Sequence, residues 1–336
     1  MKRSPVFHDR RRMLLAPIAA ATSSWMFAPR WARATDYPRD QPIRLIVPFP
    51  AGGGTDVIGR IVAKGLAQEL KTTIFVENIS GATGAVGLQR AARAEPDGYT
   101  LTLGISATHA IAPTLLKDLP YKPQRDFVPV GRLAQTALIV VAHPKFPADN
   151  IADLLTLARK PGSGLLYGSW GNGSGGHLMM ESVCHHGGAR MTQVPYKGEA
   201  PLLMALIGGE IQLGAASPGT AMPHIRAGRI KVLAAGGPRR TALLPDVATL
   251  VEQGVPFDTT SWYGLFAPAR TPSVIVDGLA RALATVLKLP ELNEKARELA
   301  LEVEPSTRES FARQIASDTA AWGRLIDVSG ARADRR

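Results

Sequence analysis

A single cysteine, Cys184, in 336 residues excludes an intrachain disulfide and a cysteine-based zinc cluster. Aromatic residues make up only 6% of the chain and charged residues 20%, against 45% apolar. Apolar content that high and charge that low exclude a disordered chain, and the few aromatics leave little for a stacking surface that reads nucleic acid. Beyond residue 34 no apolar run is long enough to span a bilayer. Fixed-period repeats and low-complexity tracts are also missing.

Positive charge is in excess, with 39 Lys and Arg against 28 Asp and Glu, net +11. Residues 1–34 hold seven of those cations against Asp9 alone, so +6 of the excess sits there and +5 is left for the rest. The remainder is spread out rather than clustered, which argues against a nucleic-acid groove and suits an acidic small ligand.

The opening reads as an export signal. Basic residues precede the apolar run Met13 to Ala28, which Pro17, Ser23 and Ser24 interrupt, and Ala32-Arg33-Ala34 offers the small residues that signal peptidase accepts. Cleavage after Ala34 leaves 302 residues, expected to be periplasmic in a two-membrane bacterium. Arg11-Arg12 before Met13-Leu14-Leu15 resembles a twin-arginine signal, although Ala16 replaces the usual lysine, so the Sec and twin-arginine routes both stay open.

From Ile43 on, β-branched runs alternate with amphipathic stretches, the pattern of an α/β fold. Strands are expected at 43–49, 73–78 and 99–104, with helices at 57–70 and 85–94. A second series follows, with helices near 150–159, 177–185, 200–207 and 220–227 and strands near 165–169, 191–195, 211–216 and 231–235. Segments 137–143 and 261–268 read as two hinge strands between lobes. A helical tail from Thr271 is expected to pack on the first lobe. The expected division is a signal at 1–34, lobe 1 at 35–136 plus 259–330, lobe 2 at 137–258 and a frayed tail at 331–336.

Two glycine-rich loops each join a strand to a helix. Ala51-Gly52-Gly53-Gly54-Thr55-Asp56 can bring backbone N–H groups up to a ligand at a helix N-terminus, a natural anion site. It is not a nucleotide P-loop, because Arg60-Ile61 stands where Lys-Ser/Thr is needed. Asp56 is better suited to capping or orienting the loop than to meeting a carboxylate. In the second loop, Gly171, Gly173 and Gly176 fit G-x-G-x-x-G, but the next strand ends without the acidic residue that a dinucleotide site requires. That loop reads as a second anion cradle with Asn172 and Ser174 as side-chain donors.

Neither Ser174 nor Ser106 lies in a G-x-S-x-G elbow. Cys184, His185 and His186 are consecutive on a helix and point to different sides, so no metal or other cofactor is expected. The loop Ile105 to Ala110, with Ser106, Thr108 and His109, and the segment Pro195 to Gly198, with Tyr196 and Lys197, also follow strands on the ligand side of an open sheet. An enzyme using Ser174, His177 and Asp56 in the cleft is the competing class.

Taken in order, Tyr37 to Asp56, Glu95 to Gly104, Gly171 to Leu178, Val194 to Gly198, Pro223 to Ala234, Leu244 to Gly254 and Ser261 to Pro272 resemble the Bug family of extracytoplasmic solute receptors, the binding components of tripartite tricarboxylate transporters. The resemblance implies a two-lobed periplasmic binding-protein fold of type II-like build with a closing cleft, no catalysis, a carboxylate ligand and membrane transporter subunits as partners. Receptors of this kind usually act as monomers. It further implies one carboxylate-holding loop at Phe49, Pro50, Ala51, Gly52, Gly53, Gly54, Thr55 and Asp56, and a second at Gly171, Asn172, Gly173 and Ser174 with His177 nearby. The rest of the ligand would meet Ser106, Thr108 and His109, then Tyr196, Lys197 and Gly198, then Ser217 and Thr220.

Two departures stand out. Asn78-Ile79-Ser80-Gly81 lacks the arginine of the family's turn, and Gly214-Ala215-Ala216-Ser217 lacks the Asp or Asn that many relatives carry. A ligand amine or hydroxyl loses its expected partner there, which favours a simple carboxylate.

Overall fold

The computed structural model describes residues 37–38 and 41–329. The expected signal segment and tail end lie outside them. Two five-stranded mixed sheets carry the chain.

In the first sheet β1 (Ile43–Val47) runs parallel between β2 (Ile74–Asn78) and β3 (Thr100–Ile105). With both faces covered, it is apolar at almost every position, as a central parallel strand must be. Helix α1 (Gly54–Leu70) buries Ile58, Val62 and Leu66 on one face, each worth about 1.5–3 kcal/mol of hydrophobic burial. Helix α2 (Ala85–Ala92) joins β2 to β3. Two very short helices, α3 (Ala112–Leu115) and α4 (Pro123–Asp126), then lead to β4 (Phe127–Thr136).

The second sheet repeats the plan. Strand β5 (Ile139–Ala142) and helix α5 (Ile151–Ala158) precede β6 (Leu166–Ser169), α6 (Gly175–Gly187), β7 (Thr192–Pro195), α7 (Glu199–Gly208), β8 (Leu213–Ala216), α8 (Pro218–Arg226) and β9 (Lys231–Ala235). The return strand β10 (Ser261–Pro268) rejoins the first sheet, and helices α9 (Ser273–Val286), α10 (Pro290–Glu298) and α11 (Arg308–Ser329) follow. The strand orders β2-β1-β3-β10-β4 and β7-β6-β8-β5-β9 correspond position by position: three parallel strands, then an antiparallel one, then an edge.

The segments read as hinge strands are therefore inner strands of opposite sheets. Segment 137–143 contains β5, paired with β8 and β9, and 261–268 is β10, paired with β3 and β4. The chain crosses between sheets at Ala137-Leu138 and returns through residues 236–260.

Strand β4 has no counterpart in the sequence reading. Pro129, Gly131 and Arg132 break its alternation, and they are tolerated because β4 is an edge strand, where a missing N–H costs no ladder bond. The helical tail divides. Helices α9 and α10 pack on α1; Gly65 lets them close in, since a Cβ there would stand 2.6 Å from Val286 Cγ1. Helix α11 instead straddles both sheets, with Trp322 edge-on to Phe257 (ring centroids 5.5 Å apart) and Phe311 edge-on to Trp262 (5.0 Å). One apolar cluster accordingly runs unbroken from Ile46 and Leu88 through Phe266, Trp262 and Trp322 to Leu178 and Leu213.

Because Trp322 sits in the part of that cluster shared by the two sheets, Trp322→Ala should cost about 3–5 kcal/mol and lower the unfolding midpoint of both lobes together. Urea titration followed by far-UV circular dichroism checks this.

Candidate functional site

The two glycine-rich loops follow the carboxyl ends of the parallel strands β1 and β6. After β1, Pro50, Ala51, Gly52 and Gly53 are exposed, while Phe49 is half-buried against Gly84. Gly52 takes φ +83°, a left-handed conformation that a side chain would strain. Gly53 is the N-cap of α1 and provides no side-chain cap. The first N–H groups of a helix lack intrahelical acceptors and carry the positive end of its dipole. Here the residues before them, Ala51, Gly52 and Gly53, are exposed.

Asp56 does not point at a ligand. Its Oδ2 accepts from the Gly52 N–H (2.8 Å) and Arg60 Nε (3.0 Å), and its Oδ1 accepts from Asn78 Nδ2 (2.9 Å). The Asn78 amide also donates to the Phe49 carbonyl (3.0 Å), and Arg60 donates to Asn78 Oδ1 (2.9 Å). Burial pushes the Asp56 carboxyl up, but hydrogen bonds from Arg60, Gly52 and Asn78, with the Arg60 charge, outweigh it and hold the group below the usual carboxylate range. Thr55 is buried beside it.

The loop after β6 is held by a histidine. His177 Nδ1 accepts from the Gly173 N–H (3.0 Å), and Ser174, the N-cap of α6, accepts from the His177 N–H through Oγ (3.2 Å). Burial keeps the His177 imidazole below its ordinary pKa, with the Glu181 carboxylate pulling back. Gly171 and Gly173 have φ +121° and +70°, and Asn172 is exposed at the tip. A Cβ at Gly173 would come within 2.5 Å of Leu115 of α3, so this loop already abuts the first lobe. The competing relay is not assembled: the Ser174 hydroxyl caps α6, His177 Nδ1 is taken up by a backbone N–H, and Asp56 belongs to the other loop's network.

Segment 105–110 is not a loop. It forms a turn of π-helix over Ala107–Ile111, and its polar side chains face inward. Ser106 is buried, and Thr108 Oγ1 bonds both the N–H and the C=O of Ile105 (3.0 and 2.9 Å). The His109 ring is 1% exposed, stacked on Phe266 (centroids 4.1 Å apart) among Tyr121, Phe127 and Trp262, and its Nε2 lies buried without a protein partner. Burial drives its pKa down to about 3.

The Tyr196 ring packs in the second lobe's core cluster, where burial and the Glu210 charge raise its phenol pKa. Lys197 is exposed, and Gly198 (φ +115°) is the N-cap of α7. Ser217 and Thr220, at the start of α8, converge on Glu199, a residue that the sequence reading passed over. The Ser217 N–H and hydroxyl donate to its two carboxylate oxygens (3.1 and 2.6 Å), and the Thr220 hydroxyl bonds the same group. Tyr263 was also missed. Its hydroxyl lies 4.0 Å from the Cβ position of Gly54, and burial together with the Glu199 charge pushes its pKa up. An i,i+4 spacing could have flagged Arg60 beside Asp56, and an acid at the first turn after Tyr196-Lys197-Gly198 could have flagged Glu199. Nothing in the sequence marks Asn78, Leu115 or Tyr263. Among the described residues no group of three metal-ligating side chains comes together.

Two lobes, each with a glycine-built helix N-terminus at α1 or α6, have the plan of a solute receptor. The model of the tripartite tricarboxylate transporter family receptor matches residues 58–331, and the chain belongs to that family. It is 31% identical to protein BugT of Bordetella pertussis over 301 residues, covering 89% of this chain and 92% of that protein. A solved periplasmic transporter is 38% identical, with TM-score 0.72, covering 89% of this chain and all of the other. The Rhodopseudomonas palustris protein Rpa4515, solved with adipate, is 32% identical with TM-score 0.72, covering 88% and 99%. The chain is thus a solute-binding receptor and not an enzyme.

His109 gives the site's scaffold an acid sensitivity of definite sign. Its folded pKa of about 3 lies below the unfolded value near 6.5, so the stability tied to its neutral form is complete above pH 6.5 and is lost as pH falls from there toward 3. The melting temperature should therefore fall with acidification over that window, by at most about 1.4 kcal/mol of stability per pH unit. The curve should be flatter for His109→Phe, and calorimetry at stepped pH checks both.

Proposed function

We propose that this chain is a periplasmic receptor that captures a small carboxylate between Pro50–Thr55 and Gly171–Ser174 and delivers it to the membrane subunits of a tripartite transporter. The lobes that carry these loops are residues 35–136 with 259–330 and residues 137–258, and the receptor acts as a monomer. Export precedes binding, by a signal at 1–34 of Sec or twin-arginine type. The observation that carries the reading is the uncapped N-terminus of α1 behind Gly52, Gly53 and Gly54, a cluster of donors that a carboxylate satisfies and no side chain does. Adipate in a relative of similar fold supports the same ligand class. Among the described residues no helix is long and apolar enough to cross a membrane, in keeping with release of the receptor after export.

Roles divide within the assigned residues. Backbone of Ala51 to Thr55 and of Gly171 to Ser174 meets the carboxylate. Asp56 and His177 hold those two loops in shape, and the groups at 106–109 brace the floor from behind.

Gly53 has extended backbone (φ −75°, ψ 165°), and a Cβ there would meet nothing nearer than the Pro50 carbonyl at 3.6 Å. Gly53→Val should therefore fold normally while keeping a ligand off the helix terminus, lowering carboxylate affinity at least tenfold with an unchanged melting temperature. Titration calorimetry of the refolded, ligand-stripped chain against mono-, di- and tricarboxylates reads the affinity. Equal binding by the folded variant removes the first loop from the site. Gly173→Val is the poorer probe, since its positive φ and its contact with Leu115 would destabilise the loop as well.

A further inference from the structure

Strand β8 ends without an acid, yet an acid from elsewhere in the chain reaches the residue that follows it. Glu199 stands in the first turn of α7, where Gly198 at φ +115° swings the chain so that the side chain reaches across to the start of α8. Its carboxylate takes up the Ser217 N–H, the Ser217 hydroxyl and the Thr220 hydroxyl, all of them neutral partners. The Ser217 side chain does not cap α8; its hydroxyl donates to Glu199 instead. The far anchor of the cleft therefore already holds a carboxylate, one that belongs to the chain.

Strands β6, β7 and β8 run parallel, so Glu199, Ser217 and Thr220 lie at the same end of the second sheet as the Gly171–Ser174 loop. On the first lobe the Tyr263 hydroxyl lies beside Gly54, and the Glu199 charge adds to the burial that pushes the Tyr263 pKa up. A ligand whose carboxylate sits on the α1 terminus thus extends toward Glu199. At its far end it meets a negative group and donors that are already engaged.

We propose that Glu199 restricts this cleft to ligands with one carboxylate and an uncharged or cationic far end, and excludes a second carboxylate. The inference rests on the carboxylate reading given above. A second carboxylate brought up to Glu199 in a partly solvated cleft would be repelled strongly enough for at least a tenfold loss of affinity, and an ammonium or hydroxyl in the same place gains a partner. An acid from the neighbouring helix thus stands beyond a strand that ends without one, and the preference for a simple carboxylate read from Gly214 to Ser217 gives way to one for an acid with a neutral or positive tail.

Matched probes test it: hexanoate, 6-aminohexanoate and adipate, with their four-carbon counterparts butyrate, 4-aminobutyrate and succinate, titrated into the refolded, ligand-stripped chain. In low salt the diacid of each set should bind at least tenfold more weakly than the amino acid, with the gap narrowing in 0.5 M salt as screening grows. Glu199→Gln, which keeps the acceptor oxygen and the fold, should close most of the gap, and Glu199→Gly should favour the diacid. Glu210→Gln, outside the cleft, should leave the ratio as it was. Diacids preferred by the unaltered chain, or a ratio unmoved by both Glu199 substitutions, would overturn the inference while leaving the receptor reading intact. Silence of every acid toward the unaltered chain and all variants overturns both.

Discussion

A buried carboxylate holds in shape a loop that has no packing of its own. Residues 50–53 are exposed, three of positions 51–54 are glycine, and the backbone there would sample many conformations if left alone. Asp56 fixes it by receiving the Gly52 N–H, with Asn78 and Arg60 completing the ring and tying the loop to the end of β2. The acid works as an internal support, and what the loop exposes is backbone. On the proposed reading a carboxylate is recognised here without naming its carrier, and discrimination comes from the opposite wall.

That wall is assembled by the same device in reverse. The N-terminus of α1 has no side-chain cap, whereas the polar groups of Ser217 and Thr220 at the start of α8 are taken up by Glu199 from within the chain. His177 provides the third variation, its Nδ1 accepting from the Gly173 N–H to set the shape of the second loop. Each strand-to-helix junction offers the same polar groups, and the cleft acquires its character from which of them the chain satisfies for itself.

Strands, helices and the two-lobe plan were legible because β-branched runs and apolar helical faces repeat at the right periods, and β10 was read to its last residue. The glycine loops were legible because glycine is demanded where φ is positive and a helix starts. Strand β4 was hidden by Pro129, whose allowance depends on an edge position that only the assembled sheet defines. The segment 105–110 looked like a ligand loop because Ser106, Thr108 and His109 are polar; the aromatic box of Phe266, Phe127, Tyr121 and Trp262 around His109 is made of residues up to about 160 positions away, and no local pattern announces it. Glu199 was overlooked for the same reason, since its meaning arises from Ser217, 18 positions on.

The crossing at Ala137 and Leu138 sets the mechanics. Strand β4 ends at Thr136 and β5 begins at Ile139, so two buried residues are the entire first connection, and the Gly236 N–H at the start of the return crossing donates to the Leu138 carbonyl (2.7 Å). A tether of about 3.5 Å per residue, pinned to its neighbour by a hydrogen bond, has no slack for one lobe to slide past the other. What it permits is rotation about a short axle, so a small turn at the Leu138–Gly236 pin is magnified with distance into the travel of the loop tips at Gly52 and Asn172.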